Sequence, residues 1–212
     1  LLYKSDFETV GGHDSLFAPF PYEDSDIFQR WILNGYEMVQ SWDSFVYHLT
    51  CRGHRWTKEI GKNDDYFTKV EEKARTNYIR KWGSWIENNE YQYPIIPPRY
   101  NRGIEITNAD SDSLYKLEPW FDNIKCDYGH DFYVKNNQSE TSINLSEKFV
   151  DELTNDVIVK VDMNTFKVED MRFIHQLNKI IQESGEEGEF KLGNLHIVIN
   201  KVENQVDKLI KL

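Results

Sequence analysis

The run Val157-Ile158-Val159-Lys160-Val161-Asp162 constrains this chain more than any other segment. β-Branched side chains lose χ1 freedom in a helix and fit a pleated surface, so the run predicts a strand. Its near-continuous apolar character predicts burial on both faces, as in an α/β sheet. The residues that follow agree. Met171, Ile174, Leu177 and Ile181 recur at helical spacing over 168–183, predicting an amphipathic helix. Phe190–Leu192 and Leu195–Ile199 flank Gly193-Asn194, a two-residue hairpin signal. Leu114–Glu118 reads as a further strand, and the last dozen residues, with Val202, Val206, Leu209 and Ile210, as a terminal helix. The expected fold class is α/β.

The first half has a different texture. A strand-like start leads into turn chemistry at Gly11-Gly12, Asp14-Ser15, Pro19 and Pro21. A helix is expected over about 24–34, with Asp24 or Ser25 at its cap, Ile27, Phe28, Trp31 and Ile32 on one face, and Asn34-Gly35 as its stop. Two short strands, Glu37–Ser41 and Ser44–Leu49, would join at Trp42-Asp43, and the polar residues 50–62 read as a loop. Phe67, Val70, Ala74, Ile79, Trp82 and Ile86 predict a long helix over 64–88. Three prolines followed by polar residues mark 90–113 as a boundary. The expected organisation is a unit over 1–95, a linker over 96–113 and a small α/β module over 114–212, whose role the residues do not reveal.

Charge and composition exclude several classes. A net charge of −11 is the wrong sign for a general nucleic-acid binder, which needs a basic stripe against phosphates. No run of 18 apolar residues offers a membrane span, and LLYKSDFETVGG lacks the basic and apolar regions of a signal peptide. Two cysteines, Cys51 and Cys126, form no disulfide framework, so a reducing cytoplasm is the simplest expected home. The sequons at Asn137 and Asn144 carry little weight without a secretion signal. The chain opens on Leu and reads from its first residues like the middle of a domain, so a fragment of a longer parent is expected.

Chemistry concentrates in residues 7–48, FETVGGHDSLFAPFPYEDSDIFQRWILNGYEMVQSWDSFVYH. A Gly-Gly-x-Asp turn is followed by an aromatic and proline loop, then by Glu23, Asp24 and Asp26 opening a helix that contains Arg30, then by Gly35-Tyr36, a strand and His48. Carboxylates at a helix start meet free N–H groups and the positive end of the helix dipole, which favour the ionised form. Such a carboxylate can take a proton from an attacking hydroxyl if the hydroxyl lies within hydrogen-bond reach. The competing reading is that the three acids only cap and solubilise a helix.

The ordered set resembles the family 2-type glycosyltransferases of the GT-A fold, over roughly the first 60 residues. The resemblance implies the acceptor-side, C-terminal half of a domain that transfers a sugar from a nucleotide-sugar donor to a sugar or glycan acceptor, with inversion. It implies Asp24 as the base and Glu23 as a holder of acceptor hydroxyls. Gly11 and Gly12 would let backbone approach a sugar closely, as well as forming a plain turn. Asp26 joins the substrate-binding set, while Arg30 is expected to pair with nearby carboxylates.

His48 would complete a manganese or magnesium site begun by an upstream Asp-x-Asp, or else be an ordinary strand-end histidine. The basic loop with Arg52, Arg55, Lys58 and Trp56 would close over a diphosphate, or simply be solvated. Zinc at His48, Cys51 and His54 is disfavoured for want of a fourth ligand. The donor-binding half and the Asp-x-Asp would precede residue 1, so this chain alone is expected to hold no cofactor and to transfer no sugar. Its uncovered apolar surface would favour a homo-oligomer. The acidic string at 108–113 reads as a flexible loop in the linker. A non-catalytic binding or assembly module that keeps such a half-domain as scaffold is the alternative.

Overall fold

A computed structural model describes residues 3–39, 41–45, 47 and 64–211 of the 212. The chain has a mixed α/β fold. Its elements run α1 (Lys4–Thr9), α2 (Glu23–Leu33), α3 (Asp65–Trp82), β1 (Arg102–Thr107), α4 (Ser111–Leu117), β2 (Asn123–Cys126), α5 (Asp131–Asn137), β3 (Val157–Asp162), α6 (Val168–Ser184), β4 (Gly188–Leu192) and β5 (Leu195–Ile199). The five strands form one sheet in the order β2-β1-β3-β5-β4. β1 pairs parallel with β2 and with β3, Ile104 lying opposite Ile124 and Val159. β5 pairs antiparallel with β3 and, through the Gly193-Asn194 turn, with β4.

The inner face of the sheet carries Ile104, Ile106, Val157, Val159, Val161, Ile197 and Ile199, all buried. Ile174, Leu177 and Ile181 of α6 and Ile79 of α3 join the same core. β3 alternates instead of being buried on both faces: Ile158 is half-buried and Lys160 exposed. The reason is a charged row on the other face, where Glu105 of β1 lies between Lys125 of β2 (2.9 Å) and Lys160 of β3 (4.0 Å). A second, smaller core gathers Leu16, Phe17, Tyr78, Trp82 and Val206.

Local chemistry explains where elements begin and end. The Asp64 carboxylate caps α3 by accepting from the Tyr66 and Phe67 amides, and Gly83, at φ +69°, stops the helix in the left-handed region that glycine tolerates. The helix expected over 64–88 therefore ends at Trp82. At the start of α6, Asp170 accepts from the Lys167 amide (2.7 Å) and from the Asn194 amide (2.9 Å), which docks the hairpin turn on the helix.

Several expectations are corrected. Residues 96–113, expected as a linker, contain β1, a strand paired on both sides near the middle of the sheet. Leu114–Glu118 is not a strand: a capping box between Asp110 and Ser113 nucleates α4, and a 3-10 turn over Glu118–Trp120 follows. The acidic string at 108–113 is thus ordered by its own caps. The strand-like start is α1, and the terminal helix shrinks to a 3-10 turn over Val206–Leu209. Glu37–Val39, Ser41, Ser44, Phe45 and Tyr47 lie in no strand, while residues 40, 46, 48 and 49 of those two expected strands fall outside the described residues.

At the carboxyl edge of the parallel strands, the Asp127 carboxylate accepts from the backbone amides of Asn108 (2.6 Å) and Ala109 (2.9 Å). Those two bonds hold its carboxyl below the ordinary carboxylate range. No helix among the described residues is long and apolar enough to cross a membrane.

Candidate functional site

The acidic opening of α2 is built on a buried polar latch. Tyr22, just before the helix, sits at φ +80° in the left-handed region, a position a bulky residue occupies only when its surroundings hold it there. Its ring packs on Tyr78 of α3 at 5.9 Å. One turn into α2, Asp26 is fully buried. Its Oδ2 accepts from Arg30 Nε (2.8 Å), and its Oδ1 accepts from Trp82 Nε1 (2.9 Å) and pairs with Lys81 Nζ (2.7 Å). Lys81 also reaches Asp14 Oδ2 at 2.8 Å, so the end of α3 grips both the turn segment and α2.

Arg30, also fully buried, extends the latch to the Gly-Gly turn. It donates to the carbonyl oxygens of Val10 and Gly12. Two cations thus face two carboxylates across the latch, and the backbone of the turn completes the hydrogen bonding that burial demands. Gly11 and Gly12 lie at φ +83° and +74°. A Cβ on Gly12 would meet the Phe7 ring at 2.8 Å, so close packing inside the protein accounts for that glycine.

The three acids separate by environment. Asp26 makes its contacts inside the protein. Asp24 is exposed and accepts only from the Ser25 amide, at 2.7 Å, with no ion pair among the described residues. Glu23 is half-buried, and its Oε2 is a buried oxygen without a hydrogen-bond partner among the described residues. Arg30 pairs with a neighbouring carboxylate as its helix position suggests. His48, Arg52, Arg55 and Trp56 lie outside the described residues, as do Cys51, His54 and Lys58. Among the described residues no group of three or more His, Cys, Asp or Glu side chains is placed to hold a metal.

Sequence reasoning missed two features. Lys81 and Trp82 are the partners of Asp26, and Trp82 read only as an apolar position of α3. The second feature is a buried cluster about Glu118, in the Glu118-Pro119-Trp120 3-10 turn, which packs on α3. Arg80 of α3 donates to Glu118 through Nε (3.0 Å) and Nη2 (2.7 Å). Tyr133 donates its hydroxyl at 2.9 Å, and Lys148 completes the cluster through both the carboxylate and the Glu118 carbonyl. Burial alone would push the Glu118 carboxyl up, but Lys148 and Arg80 hold it at about 2. Burial disfavours the Lys148 ammonium and pulls its pKa down.

Comparison with protein-family models, curated proteins and solved structures finds no match for the chain.

Proposed function

We propose that the chain is the acceptor-side half of an inverting, GT-A-type glycosyltransferase, acting in a parent that supplies the donor-binding half. The observation that carries the reading is the contrast between Asp24 and Asp26, two positions apart at one helix start. Asp26 is consumed by the latch, whereas Asp24 is exposed and free of ion pairs among the described residues. The latch fixes the helix start and the Gly-Gly turn together, which is the rigid support a base requires.

In the proposed reaction the acceptor hydroxyl oxygen attacks the anomeric carbon of the donor from the face opposite the leaving diphosphate. Asp24 takes the hydroxyl proton as the new C–O bond forms. The bond to the diphosphate oxygen breaks with its electron pair, and the anomeric centre inverts. Glu23, half-buried and next to Asp24, holds an acceptor hydroxyl through its carboxylate. Charge on the departing diphosphate calls for cations. Manganese or magnesium at His48, together with Arg52, Arg55 and Trp56, is proposed for that task; these residues lie outside the described ones.

The test is nucleoside-diphosphate release by the full parent protein with manganese, an acceptor and a panel of nucleotide sugars. Asp24→Asn keeps the size of an exposed side chain that caps nothing but cannot accept the proton, so turnover should fall roughly 10²–10⁴-fold with an unchanged melting temperature. Retention of more than about a tenth of turnover removes Asp24 as the base. A non-catalytic assembly role is favoured by one observation: Val39, Trp42, Phe45 and Tyr47 are between 79% and 88% exposed, a row of large apolar side chains suited to a partner. Absence of any transfer by the parent, with wild-type Asp24 in place, selects that role.

A further inference from the structure

A cleft of about 360 Å³ opens between α3 and the α4–α5 segment, within the size range of small-molecule sites. It is remote in role from Asp24. Tyr78 and Trp82 carry the hydrogen bonds from α3 to α2, whereas Lys69, Lys73, Thr76 and Arg80 recur at i, i+4, i+7 and i+11 and line the cleft. Tyr115, Pro119, Tyr133 and Asn137 face them from the other side.

Three observations define what fits. The first is charge. Lys69 and Lys73 make no ion pair among the described residues, and behind them the buried cluster holds two cations, Arg80 and Lys148, against the single carboxylate of Glu118. Arg80, only 8% exposed, spends three of its five N–H groups on Asn77 and Glu118 and has the Tyr133 hydroxyl nearby, leaving at least one N–H for a ligand. The second is shape and polarity. The Tyr115 ring is 49% exposed and braced edge-on by Tyr133 at 5.1 Å, a flat apolar surface next to planar polar groups. Asn137 donates to the Tyr133 carbonyl (2.7 Å), and its own side-chain oxygen remains to accept. The third is a limit. Glu72 and Glu140 stand in the same lining and oppose a densely charged polyphosphate.

An aromatic face for ring C–H groups, carboxylates and an amide for hydroxyls, and one surplus positive charge together describe a single ligand class. We infer that this cleft binds a hydroxyl-rich monoanion, an acidic sugar such as a hexuronate. The site is built from residues other than Glu23 and Asp24, so it stands whether or not they act in transfer.

The experiment is titration of the full chain with D-glucuronate, D-glucose and inorganic phosphate, followed by amide NMR shifts. Glucuronate should shift amides of α3, α4 and α5 and bind at least about ten-fold tighter than glucose or phosphate. Lys69→Gln with Lys73→Gln, which keeps helix-forming residues on an open face, should weaken it about ten-fold or more, as should Tyr115→Ala. Asp24→Asn should leave it unchanged. Equal affinity for glucose and glucuronate overturns the charge argument, and equal affinity for phosphate reduces the cleft to a simple anion patch. Absence of shifts at about 10 mM glucuronate, a bound of roughly −3 kcal/mol, overturns the site altogether.

Discussion

Replacing Glu118 by Gln keeps the volume of the side chain and removes its charge, leaving Arg80 and Lys148 buried without their counter-ion. The carboxyl is held at about 2 against an ordinary 4.5. At roughly 1.4 kcal/mol per pH unit, that gap corresponds to about 3 kcal/mol of stability at neutral pH. The figure agrees with the roughly 3–5 kcal/mol typical of breaking a buried pair on one side. Lys148, whose ammonium burial already disfavours, can shed its proton once the carboxylate is gone, which limits the loss to about the lower figure. The pKa is depressed in the folded state, so the contribution is fully present above pH 4.5 and is lost as pH falls toward 2. Urea unfolding at pH 7 should show Glu118→Gln about 3 kcal/mol less stable, with a melting point lower by roughly 6–12 °C. Between pH 4.5 and 2 the two proteins should converge. A difference below about 1 kcal/mol at pH 7, or one that does not narrow in acid, refutes the assignment of Glu118 as the anchor that joins α3 to Tyr133 and Lys148.

Two further substitutions separate structure from chemistry. Asp26→Asn should cost about 3 kcal/mol in urea unfolding, because it uncouples Arg30 and Lys81 inside the latch, whereas Asp24→Asn should cost less than about 0.5 kcal/mol; similar losses at both positions overturn the division of roles. Arg102 is 1% exposed with Nε and Nη1 unpartnered among the described residues, and burial together with Arg99 lowers its pKa to about 9. Arg102→Met should therefore unfold within about 1 kcal/mol of wild type or above it, since Asn178 also donates to the Gly83 carbonyl that Arg102 bonds; a loss beyond about 2 kcal/mol refutes that reading.

The readable parts of the fold are those whose own side chains decide them. α2, α6, β3 and the β4–β5 hairpin follow from local periodicity and the Gly193-Asn194 turn, although the cap expected at Asp24 or Ser25 is not formed: both lie inside α2, Tyr22 precedes it, and no side chain caps it. β1 was hidden because Arg102-Gly103-Ile104-Glu105-Ile106-Thr107 holds only two aliphatic residues and follows Pro97-Pro98. Its Gly103 looked like a loop residue but is required where the backbone passes Asn155 and Leu153, whose side chains a Cβ would overlap. Leu114–Glu118 misled because it is a short stretch, although the three-residue spacing of Leu114 and Leu117 fits only the helical period, and the decisive signal was the Asp110–Ser113 cap upstream. At the candidate site, the carboxylates of α2 were legible as a group, but their division into one buried and one open acid was not. That division depends on Lys81 and Trp82, more than fifty residues away in the chain.

The turn after β1 has a consequence for where ligands meet this molecule. In open α/β sheets the crevice at the carboxyl ends of the parallel strands is the usual landing place for phosphate groups, which backbone amides cradle. Here the cradle formed by the Asn108 and Ala109 amides already has a tenant, the Asp127 carboxylate. An incoming phosphate would meet a fixed negative charge. The two amides are thus spent within the protein, and a phosphate bound there would have to displace the Asp127 carboxylate first.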